Sequence, residues 1–173
     1  VIAPLRGRAP VVPASVFVAP TAVVVGDVVL GEEASVWYGS VLRGDVGPIR
    51  VGARTNIQDG CILHTTGGRS VLTIGSEVTA GHRAILHGAT IHDRCLIGMG
   101  AIVLDECEIG EESLIAAGSV VLEGMIVPPR SFVAGVPGVV RGAIPPAIYA
   151  RLRESARHYV ELAREHAALH AAR

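Results

Sequence analysis

The chain has 173 residues, 50% of them hydrophobic, with 15 basic and 16 acidic side chains and a formal charge of -1. That length and apolar content suit one folded domain and exclude a disordered segment. A charge so near neutral leaves no electrostatic footprint for nucleic acid or another polyanion.

The opening VIAPLRGRAP carries prolines and arginines where a secretion signal has an apolar run, and no stretch approaches membrane-spanning length. A cytoplasmic protein without membrane association is therefore expected. From Val18 an aliphatic residue recurs at every sixth position through Val24, Leu30, Val36 and Leu42. A second run holds Val51, Ile57 and Leu63, and a third holds Ile74, Ala80 and Leu86. After a step of five the register continues without a miss from Ile91 through Ile97, Val103, Ile109, Ile115, Val121, Val127 and Val133 to Val139.

A repeat of this length cannot bury its apolar side alone and must stack on its neighbours, which predicts a β-helix with three short strands per coil. Only 3% of residues are aromatic, so the layers must be filled by aliphatic β-formers. About nineteen hexads make roughly six coils, a three-faced prism about 29 Å tall at strand spacing. The period itself does not set the handedness of the coil. Two interruptions, GPIR at 47–50 and GGRS at 67–70, are predicted to project as loops.

Cys61, Cys95 and Cys107 each follow a repeat aliphatic by four residues, the slot that also holds Ala101, Ser113 and Ser119. Their odd number argues against a disulfide framework, and they are read as small buried packing thiols. The β-helix is expected over 1–141 and a helical segment over 142–173. Pro145 and Pro146 punctuate the chain there, and Ile148, Leu152, Tyr159, Leu162 and Ala163 fall at helical spacing. The helix is predicted from Ala147 to about Ala171, with Arg151, Arg153, Glu154 and Arg157 on a solvated face. Its apolar stripe should pack on a prism face of its own or a neighbouring subunit.

His64 and His87 each follow a repeat leucine by one residue, so they share a slot. Their separation of 23 contains the five extra residues of the second interruption and one full coil besides. The two imidazoles therefore belong on one face, one strand spacing apart, roughly 4.8 Å. His82 lies five residues before His87, around a prism edge, and cannot meet the other two within one chain. Identical prisms packed about a threefold axis could bring it to the pair of the next chain, giving three equivalent sites. Three neutral imidazoles with an open fourth position suit Zn2+, with Fe2+ or Co2+ also compatible. His92 lacks a partner in register and His158, His166 and His170 lie on the helix, so these four are read as structural or solvated.

The stretches LRGDVGPIRVGARTNIQDGCILH (42–64), GHRAILHGATIHDRCLIGMGAIVLD (81–105) and FVAGVPGVVR (132–141) resemble the gamma-class carbonic anhydrase family. The resemblance implies a left-handed parallel β-helix, a homotrimer, and a metal held by His64, His82 and His87 across each interface. It implies reversible hydration of carbon dioxide to bicarbonate by a metal-bound hydroxide. Arg43 and Asp45 match the family's inter-subunit pair, and residues two apart on a strand do face the same side. Asn56, Gln58 and Asp59 match pocket-lining positions, where an amide can orient substrate. Tyr159 resembles a tyrosine that bacterial relatives place near the metal, although core packing accounts for it equally.

One departure stands out. The family's two proton-shuttling glutamates are matched by Val46 and by the short glycine loop at Gly67. Three alternatives to a carbonic anhydrase therefore stay open: a metal-dependent acyl-CoA thioesterase, a hexapeptide acyltransferase, and a catalytically silent metal-binding trimer.

Overall fold

The computed structural model describes residues 1–171. The chain is a left-handed parallel β-helix closed by a C-terminal helix. Its logic is the hexad. In each two- or three-residue strand the repeat aliphatic points inward, and successive coils stack like on like.

On the first face Leu42, Leu63, Leu86, Val103 and Val121 lie in parallel register. On the second, Val51, Ile74, Ile91, Ile109 and Val127 do the same. On the third the column runs Val36, Ile57, Ala80, Ile97, Ile115 and Val133. All are buried. Cys61, Cys95 and Cys107 are buried and unbridged, in the packing slot expected for them.

Two corners of the prism hold the six-residue step as far as Val133, whereas the corner between the first and second faces does not, and Val139, expected next in the register, lies exposed in an antiparallel strand instead. Nine residues separate Leu42 from Val51 there, eleven separate Leu63 from Ile74, and five separate Leu86 from Ile91. The two longer steps behave differently. Residues 65–71 lie outside the strands as a loop. The 47–50 segment, by contrast, is no loop: Val41–Val51 is one continuous strand that wraps the corner. It pairs with the equally continuous Val23–Leu30 on both sides of the bend, with a bulge between Gly26 and Val28. Gly26, at φ +78°, lies so close on the Gly44 carbonyl that no side chain fits, and this close approach lets the two strands turn together.

The helix Pro146–Ala171 packs on the third face of its own chain, against Phe17–Val18, Ser35–Val36, Asn56–Ile57 and Thr79–Ala80. Leu152, Ala156 and Ala163 are its buried residues, with Tyr159 and Leu162 packed beside them. Just before it, Val139–Ala143 adds an antiparallel strand to Ser131–Ala134 and covers the open edge of that face. No helix among the described residues is long and apolar enough to cross a membrane.

Candidate metal centre

The inserted corner carries the chemistry. Strands Ile62–His64 and Ile85–His87 are adjacent rungs in register, with His64 opposite His87. The His64 Nδ1 and His87 Nε2 atoms lie 3.1 Å apart, and the rings meet edge to face at 5.1 Å between centroids. Each ring has a carboxylate behind it. His64 Nε2 is 3.0 Å from Asp45 Oδ1, and His87 Nδ1 is 2.8 Å from Asp105 Oδ2.

An ionised carboxylate only accepts hydrogen bonds, so each ring must donate its outward N–H to its aspartate. The two inward nitrogens then face each other, an arrangement that a metal cation between them would satisfy, as would one proton shared in an N–H···N hydrogen bond. Ligand nitrogens about 2.05 Å from a tetrahedral zinc sit about 3.3 Å apart, close to the spacing found. The donor set therefore fits a borderline-soft divalent metal.

Both aspartates are held ionised. Burial opposes the charge on Asp45, but hydrogen bonds from His64 and Arg43 outweigh it and keep the carboxyl below its ordinary range. Burial likewise opposes ionisation of Asp105, and hydrogen bonds from Ser70, His87 and Thr66 overcome it. Arg43 pairs with Asp45 on the outward side of Val41–Val51.

The remaining expected residues gather at the other edge of the first face, where the third face turns into it. Asn56 and Gln58 are buried, and Gln58 Nε2 donates to Asn56 Oδ1 at 3.0 Å. Asn56 Nδ2 donates to Thr79 Oγ1 at 3.0 Å, and Thr79 Oγ1 meets Ser155 Oγ of the helix at 3.0 Å. Gln58 Oε1 accepts from the His82 backbone N–H at 3.2 Å, so the amide is fixed at both ends. His82 Nδ1 lies 2.9 Å from Asp59 Oδ2, both half exposed at 43%. Tyr159 packs edge-on against Trp37 at 5.4 Å. Burial pushes its hydroxyl up, and the nearby charge of Asp59 adds to that.

One chain thus keeps the His64–His87 pair and His82 at opposite edges of the first face, and among the described residues no three His, Cys, Asp or Glu side chains are placed to hold a metal. Between the two edges, the outward side of the first face carries a column of Val41, Ile62, Ile85, Ile102 and Val120. Ile62 and Ile85 are 39% and 36% exposed, large apolar groups left in water by the isolated chain.

Sequence reasoning did not reach Asp105, Ser70 or Thr66. The signal was Gly88, directly after His87, whose missing side chain leaves room for Asp105 and Ser70. His92 pairs with Glu108, and His166 and His170 with the Tyr38 hydroxyl, in the structural roles expected of them.

Comparison with known proteins gives these similarities. The model of the bacterial transferase hexapeptide (six repeats) matches residues 88–123. A carbonic anhydrase of Geobacillus kaustophilus is 49% identical over 110 residues, 64% of this chain and 60% of that protein. The mitochondrial gamma carbonic anhydrase 2 of Arabidopsis thaliana is 40% identical over 165 residues, 92% of this chain and 59% of that protein. The chain spans about 60% of the length of these curated relatives. The crystal structure of a hexapeptide transferase family protein from Anaplasma phagocytophilum matches with a TM-score of 0.91 at 42% identity, over 95% of this chain and 97% of that one.

Proposed function

This chain belongs to the gamma-carbonic-anhydrase-like family of hexapeptide-repeat proteins, and from that premise we propose that it is a homotrimer whose three interfaces each hold a divalent metal and hydrate carbon dioxide reversibly. The carrying observation is the facing pair of bare imidazole nitrogens, 3.1 Å apart on adjacent rungs with a carboxylate behind each. The first face turned inward about a threefold axis sets this pair against the His82 edge of the next chain. His64, His87 and that neighbour's His82 form the donor set. Zn2+ suits it, with Fe2+ or Co2+ as alternatives.

When bound, the metal supplies Lewis acidity and lowers the pKa of water at the site toward about 7. The chain supplies the rest. Asp45 and Asp105 hold two rings with their bare nitrogens inward. Gln58, pinned between Asn56 and the His82 backbone, keeps one Nε2 hydrogen for a substrate oxygen. Arg43 ties Asp45 in place from the interface side. Val46 and Gly67 offer no carboxylate for the proton that hydration releases. Asp59, half exposed beside His82, takes that role, with the Tyr159 hydroxyl near it. Turnover is accordingly buffer-dependent.

The test is complementation. His64→Ala and His82→Ala each remove one half of every site, so each variant alone should lose bound metal and stopped-flow hydration activity. Unfolded and reassembled together, they restore intact interfaces in about one quarter of positions by random mixing of cyclic trimers. Metal content and activity should return in that proportion. No recovery means the site is not shared between chains. A transferase reading is favoured by the names of the hexapeptide model and of the solved relatives, a putative acetyltransferase of Bacillus cereus among them. Acyl transfer to or from coenzyme A by the metal-free protein would replace the present proposal.

A further inference from the structure

The inserted loop and the metal ligand share one carboxylate. Asp105, almost wholly buried, receives Ser70 Oγ on Oδ1 at 2.5 Å, and on Oδ2 it receives His87 Nδ1 at 2.8 Å and Thr66 Oγ1 at 3.3 Å. Ser70 Oγ also accepts from the Thr66 backbone N–H at 2.9 Å, and the Arg69 and Ser70 backbone N–H groups both donate to the Thr66 carbonyl. Residues 66–70 therefore close on themselves as one turn, and that turn is sewn to Asp105. Room for the junction comes from Gly88, where a β-carbon collides with both Asp105 and Ser70.

Besides the close approach of Thr65 and Ser70 to Gly47, the loop has two further attachments. Gly67 lies against Val46 so closely that a β-carbon there would stand 3.1 Å from Val46 Cβ. Arg69 reaches across the outer surface to Glu106 and Glu123. Neither attachment touches a histidine. Only the Ser70 and Thr66 hydroxyls reach the group that orients His87. Because Ser70 and His87 use opposite oxygens of one carboxylate, rotation of that carboxylate to follow a displaced loop withdraws Oδ2 from His87.

We propose that Asp105 is a positioning residue that couples closure of loop 65–71 to the Nδ1–H tautomer of His87, so that His87 presents a bare Nε2 only while the loop is seated. The inference deepens the metal-site reading and rests on it for its affinity consequence, though not for the tautomer. Outer-shell partners of histidine ligands are typically worth about 10–100-fold in metal affinity. Ser70 touches no ligand, and coupling through Asp105 is the route by which it acts.

Two measurements on the full chain test this. Long-range proton–nitrogen spectra of the metal-free protein should show His87 as the Nδ1–H tautomer, moving toward Nε2–H in Asp105→Asn. Ser70→Ala should move it the same way, while amide exchange across 66–70 speeds up and the β-strands keep their protection. Ser70→Thr should restore both. Zinc affinity by chelator competition should fall about 10–100-fold in Asp105→Asn and also fall measurably in Ser70→Ala. A Ser70→Ala protein with a freed loop but wild-type His87 tautomer and zinc affinity overturns the coupling, and an unchanged tautomer in Asp105→Asn overturns the positioning role. Wild-type protein with the Nδ1–H tautomer and its Ser70 dependence but no zinc uptake upholds the positioning role and removes the metal reading instead.

Discussion

Cys61 shows how far a single slot can be read. Four residues after a repeat aliphatic, the side chain turns inward at a corner beneath the next coil, and Cys61 Sγ lies 3.2 Å from the Gly81 carbonyl. Cys95 Sγ makes the same contact with the Gly110 carbonyl at 3.2 Å. Burial pushes both thiols up to about 12 and raises Cys107 as well. Since the thiolate is the reactive form, the folded protein at pH 8 should leave Cys61 and Cys95 unmodified by an aromatic disulfide reagent. All three cysteines should react once guanidinium unfolds the chain. Rapid labelling of Cys61 in folded protein contradicts the packing role. This slot was legible because it depends only on the period. Asp105 was not, since hexad position alone makes it a turn acid. What gives it a partner is the short step from Leu86 to Ile91, which sets Gly88 and the inserted Ser70 against it.

At the corner between the second and third faces, Glu33, Arg54, Glu77, Arg94, Glu112 and Arg130 occupy successive coils, all with φ between 55° and 61°. Left-handed backbone is unfavourable for residues with a β-carbon, yet this corner uses charged residues of alternating sign where glycine would be easier. The contacts give the reason. Arg54 pairs with Glu77, and Arg94 and Arg130 both pair with Glu112. The helix closes on this ladder with Arg153 on Glu112 and Arg164 on Glu33. Arg153 is exposed, as expected of a solvated face, and from there it also reaches Glu112. Helical spacing finds the apolar stripe but says nothing of which corner the polar side meets. In the same way Gly and Pro at 47–50 suggested a loop, because the neighbouring strand that wraps with them lies a coil away in sequence. Burial opposes the charge on Glu112, and hydrogen bonds from Arg130, Arg153 and Arg94 outweigh it, lowering its pKa from 4.5. Its stabilisation is therefore full above that value and is lost as pH falls through the lower folded value. Glu112→Gln should cost about 1–3 kcal/mol at pH 7, read from urea midpoints. The difference seen at pH 7 should shrink at an acid pH below the lowered folded value. An equal loss at both pH values assigns the effect to packing rather than to charge.

The three outer faces of the prism differ, and in the proposed trimer the difference decides how copies would meet. The second face shows water Arg50, Thr73, Thr90 and Glu108 in one column that ends in the exposed Ile126, and the helix covers the third at Phe17–Val18, Ser35–Val36, Asn56–Ile57 and Thr79–Ala80. The first carries an unbroken outward column of valine and isoleucine, from Val41 through Ile62, Ile85 and Ile102 to Val120. The His64–His87 pair and His82 stand at its two edges, so in the proposed trimer one packing event would both bury the column and bring the three histidines together. The histidine count along the chain made the adjacency of His64 and His87 legible. The apolar face beside them was not, because the same hexad slot is apolar here and mostly polar on the second face. Aspartate at Ile62 and Ile85 together places like charges directly opposite on neighbouring rungs and against the neighbouring chains, at no cost to the inward leucines. The double variant should keep the β-sheet circular dichroism of the parent and elute with the 17.9 kDa mass of one chain, whereas the parent should show three times that mass by light scattering. Metal and hydration activity should leave with the trimer, since His82 then has no neighbouring pair to complete. A folded monomer that still binds one metal per chain with undiminished turnover shows that the two edges of the first face work apart, and it ends the shared-site account.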